Sequence, residues 1–312
     1  MLPPSRLPVT LNLRRIIGLA LVLLALAGCS MVRLAYDQAP NLVYWWIDGY
    51  VDVSGEQAPR VREAVDRWFV WHRRTQLPEY AALLARAQRE ITEPTTPAAM
   101  CAWTTEAERR IDGALEEAVP AAAELLLGLA PEQVQHIERR MVKANRELRA
   151  DYLQADAAER KRASLDRSVA RFETLYGRLE ANQRERLAGL LAASTFDPER
   201  WVTERQLRQR DILRALAAVS AAARGTDRAA AVLRAQAAVR SLTARSTRSP
   251  RPGYASYQQR LVQDNCALAA TMHNAMTPAQ RQAARARLTG WEEDVRALIA
   301  TAPSGGNGNS SR

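Results

Sequence analysis

The chain is short of the residues that most metal sites, nucleophile sites and β-sheets need. Histidine occurs only at His72, His136 and His273, and cysteine only at Cys29, Cys101 and Cys266. No histidine has a second histidine or a cysteine three or four positions away, so no metal site and no resident cofactor is expected. There is no Gly-rich phosphate loop and no Gly-x-Ser-x-Gly elbow, which removes the usual nucleotide-binding and hydrolase signatures. Sustained period-2 alternation is absent, and β-branched residues are scattered, which excludes an extensive sheet. Aromatics make up 6% of the residues, and lysine occurs only at Lys143 and Lys161. One long apolar run exists, Ile16 to Gly28. It is too short to span a bilayer, which takes about 20 residues.

That run has a definite place. Arg6, Arg14 and Arg15 precede it, and Leu26-Ala27-Gly28-Cys29 ends it. A basic segment, an apolar run and small residues at the end make a signal peptide. Leu-Ala-Gly-Cys resembles the bacterial lipobox. The resemblance implies cleavage between Gly28 and Cys29, diacylglycerol on the Cys29 sulfur and acylation of its amine. Several acyl chains give stable anchoring where one gives only reversible binding. Under the sorting rule that goes with the lipobox, Ser30 implies the outer membrane, with the protein facing the periplasm. Arg14-Arg15 fits a twin-arginine export signal poorly, because Leu13 precedes the pair and the run after it is very apolar.

Removing residues 1–28 takes away three arginines and no acid, leaving 41 basic and 34 acidic residues, net +7. Residues 224–251 hold seven arginines against Asp227 alone and so account for +6 of that excess. A concentrated patch beside the loop at 245–253 suits an anionic partner. Arg234, Arg240, Arg245, Arg248 and Arg251 are the candidate binding residues, for an anionic envelope lipid or an acidic protein surface; a solvated face and loop is the alternative. Nucleic acid is not expected in the envelope. Once Cys29 is used by its lipid, Cys101 and Cys266 remain as an even pair in an oxidising compartment. A disulfide is expected, the alternative being two separate buried thiols.

Ala, Leu, Arg, Glu and Gln dominate, all strong helix formers, and apolar residues recur at helical spacing along the chain. The fold class is all-α: an antiparallel bundle of about ten helices whose short turns favour sequence neighbours as packing neighbours. Residues 29–52 form a lipidated, aromatic, membrane-proximal segment, 53–302 the helical domain, and 303–312 a disordered tail. The domain is either one bundle or two sub-bundles dividing near residue 195. Helices are expected to open at Pro40 and Pro78, and Pro120 is expected to kink or divide another. Tyr44-Trp45-Trp46 reads either as core or as a headgroup-level cluster, with core preferred. Glutamates such as Glu106, near Arg110, and Glu147, near Arg146 and Arg149, read as solvated charged faces and not as a catalytic pair.

Four helix starts share a pattern: Val53-Ser54-Gly55-Glu56-Gln57, Leu129-Ala130-Pro131-Glu132-Gln133, Leu179-Glu180-Ala181-Asn182-Gln183 and Met276-Thr277-Pro278-Ala279-Gln280. The first and last are capping boxes. These segments resemble the Leu-Thr-x-x-Gln motifs of small periplasmic stress chaperones, a resemblance that implies an all-helical cradle for unfolded clients; well-made helix starts in general carry the same residues. More broadly, Cys29-Ser30, Arg33-Leu34-Ala35-Tyr36, Trp45 to Asp52, Trp71-His72-Arg73 and Gln76 to Tyr80 resemble an uncharacterised family of proteobacterial lipoproteins. That resemblance implies location and fold and no activity. The expected role is non-catalytic: binding or scaffolding in envelope maintenance. Chaperone-like client binding is the alternative, and a cell-wall enzyme the second alternative.

Overall fold

The structure, a computed structural model, describes residues 30–225 and 227–301. The leader, Gly28, Cys29 and the tail at 303–312 lie outside the described residues. Ten helices and no strand are found among the described residues: α1 (Ser30–Val51), α2 (Ala58–Glu90), α3 (Pro97–Leu127), α4 (Pro131–Tyr152), α5 (Ala157–Tyr176), α6 (Ala181–Ala192), α7 (Pro198–Gly225), α8 (Arg228–Thr247), α9 (Pro252–Asn274) and α10 (Pro278–Ala300). The helix starts follow from local chemistry. Thr96, Asp156, Asp227 and Thr277 accept hydrogen bonds from first-turn backbone N–H groups, which satisfies donors that a helix start leaves orphaned. Proline stands at the first position of α3, α4, α9 and α10, where its missing N–H costs nothing.

Three prolines expected to open or divide helices lie inside continuous ones instead: Pro40 in α1, Pro78 in α2 and Pro120 in α3. Pro78 and Pro120 are exposed, so the carbonyls they leave without an N–H partner can turn to water. Their neighbours Leu77 and Val119 are buried, and the packing of that buried stripe carries each helix through. The loop expected at 245–253 is also shorter than the sequence suggests, because α8 runs to Thr247 and α9 starts at Pro252.

The buried residues form two main clusters. One joins Val169 and Tyr176 of α5, Leu187 of α6, Met272 of α9 and Ala284 of α10 with Leu179 and Met276 from the turns that precede α6 and α10. The other joins Val119 and Ala123 of α3, Val219 of α7, and Ala235 and Val239 of α8. Each cluster draws residues from both sides of residue 195. Leu187 and Met272 are fully buried, each contributing roughly 2 kcal/mol of transfer free energy. Alanines in the second cluster let α3 and α8 approach closely. The most extensive helix contacts are α2 with α10 and α3 with α8, both remote in sequence. The expectation that sequence neighbours pack together is therefore only partly met: α1–α2 and α7–α8 pack, while α2 and α3 spend most of their surface on later helices.

Cys101 of α3 and Cys266 of α9 form the disulfide, with Cα atoms 5.3 Å apart and a sequence separation of 165. Closing a loop of that length removes denatured-state entropy equivalent to roughly 5 kcal/mol. The Cys101→Ser/Cys266→Ser double variant is expected to unfold at a clearly lower urea midpoint than the oxidised protein, with a slope equal or steeper because the unfolded chain is no longer cross-linked. Equal midpoints would show that the bond contributes nothing.

Candidate functional site

The four similar helix starts meet in space as two pairs. Gln57 faces Gln133, and Gln183 faces Gln280, in the same reciprocal geometry. In each glutamine the side-chain oxygen accepts from the backbone N–H three residues earlier: Ser54 N–H at 3.0 Å, Ala130 N–H at 2.9 Å, Glu180 N–H at 2.9 Å and Thr277 N–H at 2.9 Å. Each side-chain nitrogen donates to the partner's side-chain oxygen at 2.7–3.2 Å. It also donates to the carbonyl five residues before the partner: Gln57 to Gly128, Gln133 to Asp52, Gln183 to Ala275 and Gln280 to Arg178, all at 2.8–2.9 Å. The backbone turns where these carbonyls are offered. Asp52 has φ 59° and Gly177, beside Arg178, has φ 79°; Asp tolerates the left-handed region and glycine adopts it freely. These glutamines therefore tie helix ends together inside the fold. The alternation of an apolar residue and a glutamine four positions on was visible in the sequence; the pairing was not.

An aromatic cluster ties α1 to α2. Tyr36 O–H and His72 Nδ1 are 2.9 Å apart, Trp68 stacks on the His72 ring with centroids 4.7 Å apart, and Arg73 pairs with Asp37 at 2.8 Å. Burial lowers the His72 pKa. Burial also pushes Tyr36 up to about 12 against the pull of Arg73. Between the two helices lies an open groove of about 240 Å³ whose lining includes Tyr36, Pro40, Phe69, Val70, Arg73 and Arg74. The preference for a core role holds for Tyr44 alone. Tyr44 is buried, with the Arg62 guanidinium 3.5 Å from its ring centroid, while Trp45 and Trp46 are exposed. Adjacent positions on a helix point about 100° apart, so one helix face cannot bury all three rings.

His273 is a second buried histidine, and its partners fix its tautomer. The Glu93 carbonyl, which can only accept, is 2.7 Å from Nε2, so Nε2 carries the proton and Tyr176 O–H donates to Nδ1 at 2.8 Å. Burial holds His273 below its ordinary pKa and pushes Tyr176 up to about 12. His136 lies apart from both, with Nε2 3.2 Å from the Gly49 carbonyl. Among the described residues no group of three His, Cys, Asp or Glu side chains is placed to hold a metal ion.

The basic segment is partly neutralised by the fold. Arg228 pairs with Glu124, and Arg240 with Glu116 at 2.8 Å, both acids on α3. Arg251 is an internal strut: its guanidinium reaches Glu204 at 3.0 Å and Asp211 at 2.6 Å, two buried carboxylates of α7. Arg208 and Ser249 complete the shell of Glu204 at 3.1 and 2.7 Å, and Arg214 adds to Asp211. Burial opposes charge at both Asp211 and Arg251, but their hydrogen bonds outweigh it, so the Asp211 pKa is lowered and that of Arg251 raised. Arg251 is thus not available to an external anion, and Arg240 is already paired. Arg245 and Arg248 remain exposed, as does Arg234 on the same helix as Arg245. Sequence reasoning missed Glu204 and Asp211, because a buried acid in an Arg-rich helix has the same local pattern as a solvated one. Glu106, read as part of a solvated face, is likewise buried, paired with Arg109 and Arg110. Its pKa is lowered chiefly by the hydrogen bond from Arg110.

Removing Arg251 leaves two buried carboxylates short of a cation, a loss of about 3 kcal/mol by analogy with other broken buried pairs. Arg251→Met is expected to unfold at markedly lower urea than wild type, while Arg248→Met stays within about 0.5 kcal/mol. Equal effects of the two substitutions would remove the strut.

No curated protein and no solved structure matches the chain. A model of the Family of unknown function (DUF6279) matches residues 49–241. That span takes in α2 through α7 whole, the Gln57–Gln133 pair, Gln183, and the Glu204 and Asp211 carboxylates. It covers well over half of the 312 residues, and the chain belongs to the DUF6279 family of unknown function.

Proposed function

We propose that this protein is a lipid-anchored lipoprotein of the bacterial outer membrane, facing the periplasm, with a non-catalytic binding or scaffolding role in envelope maintenance. One observation carries the reading: the Leu26-Ala27-Gly28-Cys29 sequence directly after a basic segment and a 13-residue apolar run. A lipid on Cys29 would sit directly before Ser30 in the sequence, at the near end of the described part of α1. The disulfide between α3 and α9 suits an oxidising compartment. The exposed Arg245 and Arg248 support contact with an anionic envelope component, on a smaller basic surface than the sequence alone suggests. Chaperone-like client binding is the weaker reading, since the helix starts that suggest it are engaged with one another.

Cys29→Ala is expected to abolish incorporation of labelled palmitate in growing cells and to leave the protein as an unprocessed precursor of higher mass that is missing from the outer-membrane fraction. Unlabelled wild type, or label that persists in the variant, would overturn the anchor.

A further inference from the structure

α1 turns one side to the protein and leaves the other uncovered. With successive residues about 100° apart, Leu34, Leu42, Trp45 and Trp46 fall in one arc, together with Ala35, Gln38 and Gly49. All are exposed, the four large ones at 56%, 53%, 60% and 64%. The three charged residues of α1 lie outside that arc, and each is engaged elsewhere. Arg33 meets Asp294, Asp37 meets Arg73, and Asp48 accepts from the Val53 N–H. The uncovered arc is therefore apolar and uncharged over most of the helix length, a pattern that suits a helix lying in a bilayer interface with its polar side turned away. Tryptophan is the residue most at home at headgroup depth, where its ring is buried and its N–H stays wet.

The occupant of this arc follows from where the chain outside the described residues ends. Cys29 immediately precedes Ser30, the first residue of α1. A lipid there holds the whole arc within one helix length of the bilayer, at an effective concentration that no free partner matches. The pose matters, because Trp45 lies about 22 Å along the helix axis from Ser30 at 1.5 Å per residue. If α1 stood upright, both tryptophans would sit far out in water; lying flat brings the arc from Leu34 to Trp46 onto the surface together. We propose that α1 lies flat on the membrane that carries Cys29, with Leu34, Leu42, Trp45 and Trp46 seated in the lipid headgroup layer. The proposal rests on the anchor reading above and adds to it the orientation of the folded domain: a body clamped to the bilayer along one edge.

The test uses the purified full-length processed protein in vesicles of phosphatidylethanolamine and phosphatidylglycerol whose acyl chains are brominated near the headgroup. Tryptophan emission is compared between wild type and Trp45→Phe/Trp46→Phe, with the mass of the Cys29 peptide measured on the same preparations. The expected result is a lipid-quenched component of the emission in wild type that is lost in the double variant. Helical circular dichroism unchanged by the substitutions confirms that the variant is folded. A lipidated Cys29 with equal quenching in both proteins overturns the flat pose and keeps the anchor. An unlipidated Cys29 with the Trp45/Trp46 component still quenched removes the anchor and keeps the lipid face. Emission indifferent to bromolipid, with concentration-dependent dimers in sedimentation that the double variant lacks, gives the face to a second copy of the chain and overturns the proposal.

Discussion

A buried primary amide has four hydrogen-bonding positions, and leaving one unmade costs about 1–3 kcal/mol. This fold meets that demand for the two buried glutamines, Gln133 and Gln183, by pairing each with a half-buried one, Gln57 or Gln280. Each of Gln57, Gln133, Gln183 and Gln280 caps its own helix start with its oxygen and spends its nitrogen on the partner glutamine and the partner's incoming chain. Each pair therefore gathers four chain ends at one point. At the first pair, the exit of α1, the start of α2, the exit of α3 and the start of α4 converge. At the second, the exits of α5 and α9 and the starts of α6 and α10 converge. Eight of the ten described helices have an end fixed this way, across sequence separations of 76 and 97 residues. Because the two pairs obey the same residue offsets, they are the same device used twice.

The rest of the architecture hangs on these points. The second pair sits against the cluster of Leu179, Leu187, Met272 and Met276, and there Gln183 is nearly inaccessible. Hydrophobic burial and the polar pair protect each other: packing keeps water off the amides, and the amides fix the register of the helices that pack. The disulfide and the Arg251 strut act farther along α3, α7 and α9, where no glutamine pair reaches. The first pair also determines how α1 is held. Gln133 grips the carbonyl of Asp52 just past the end of α1, while Tyr36 and Asp37 tie the earlier turns to α2. α1 is thus a fixed part of the body, and its uncovered side has a defined direction.

Much of this was legible in the sequence, but unevenly. Helix content and some helix starts were readable because caps and first-turn prolines act locally: the starts at Pro131 and Thr277-Pro278 needed no tertiary context. The cysteine pair was legible by counting. The interior prolines misled, because Pro78 and Pro120 face outward and the cost of a missing hydrogen bond is small against a buried stripe. The charged residues misled for the opposite reason. Glu204, Asp211 and Arg251 look like surface residues one at a time, and only the return of the chain at 251 onto α7 makes them a buried network. The glutamines lay between these cases, their spacing visible and their partners not, since pairing across 76 or 97 residues is decided by the packing of whole helices.

The paired glutamines act as one unit and not as two independent helix caps. A double-mutant cycle on the pair that sits against the Leu187 and Met272 cluster tests it most directly: urea unfolding of Gln183→Ala, Gln280→Ala and the double variant. Each single substitution strands its partner's amide, with an expected loss of about 2 kcal/mol. The double variant, with no amide left to strand, is expected to fall short of the sum by at least about 1 kcal/mol. Losses that add to within about 0.4 kcal/mol would contradict the account and reduce each glutamine to a cap of its own helix.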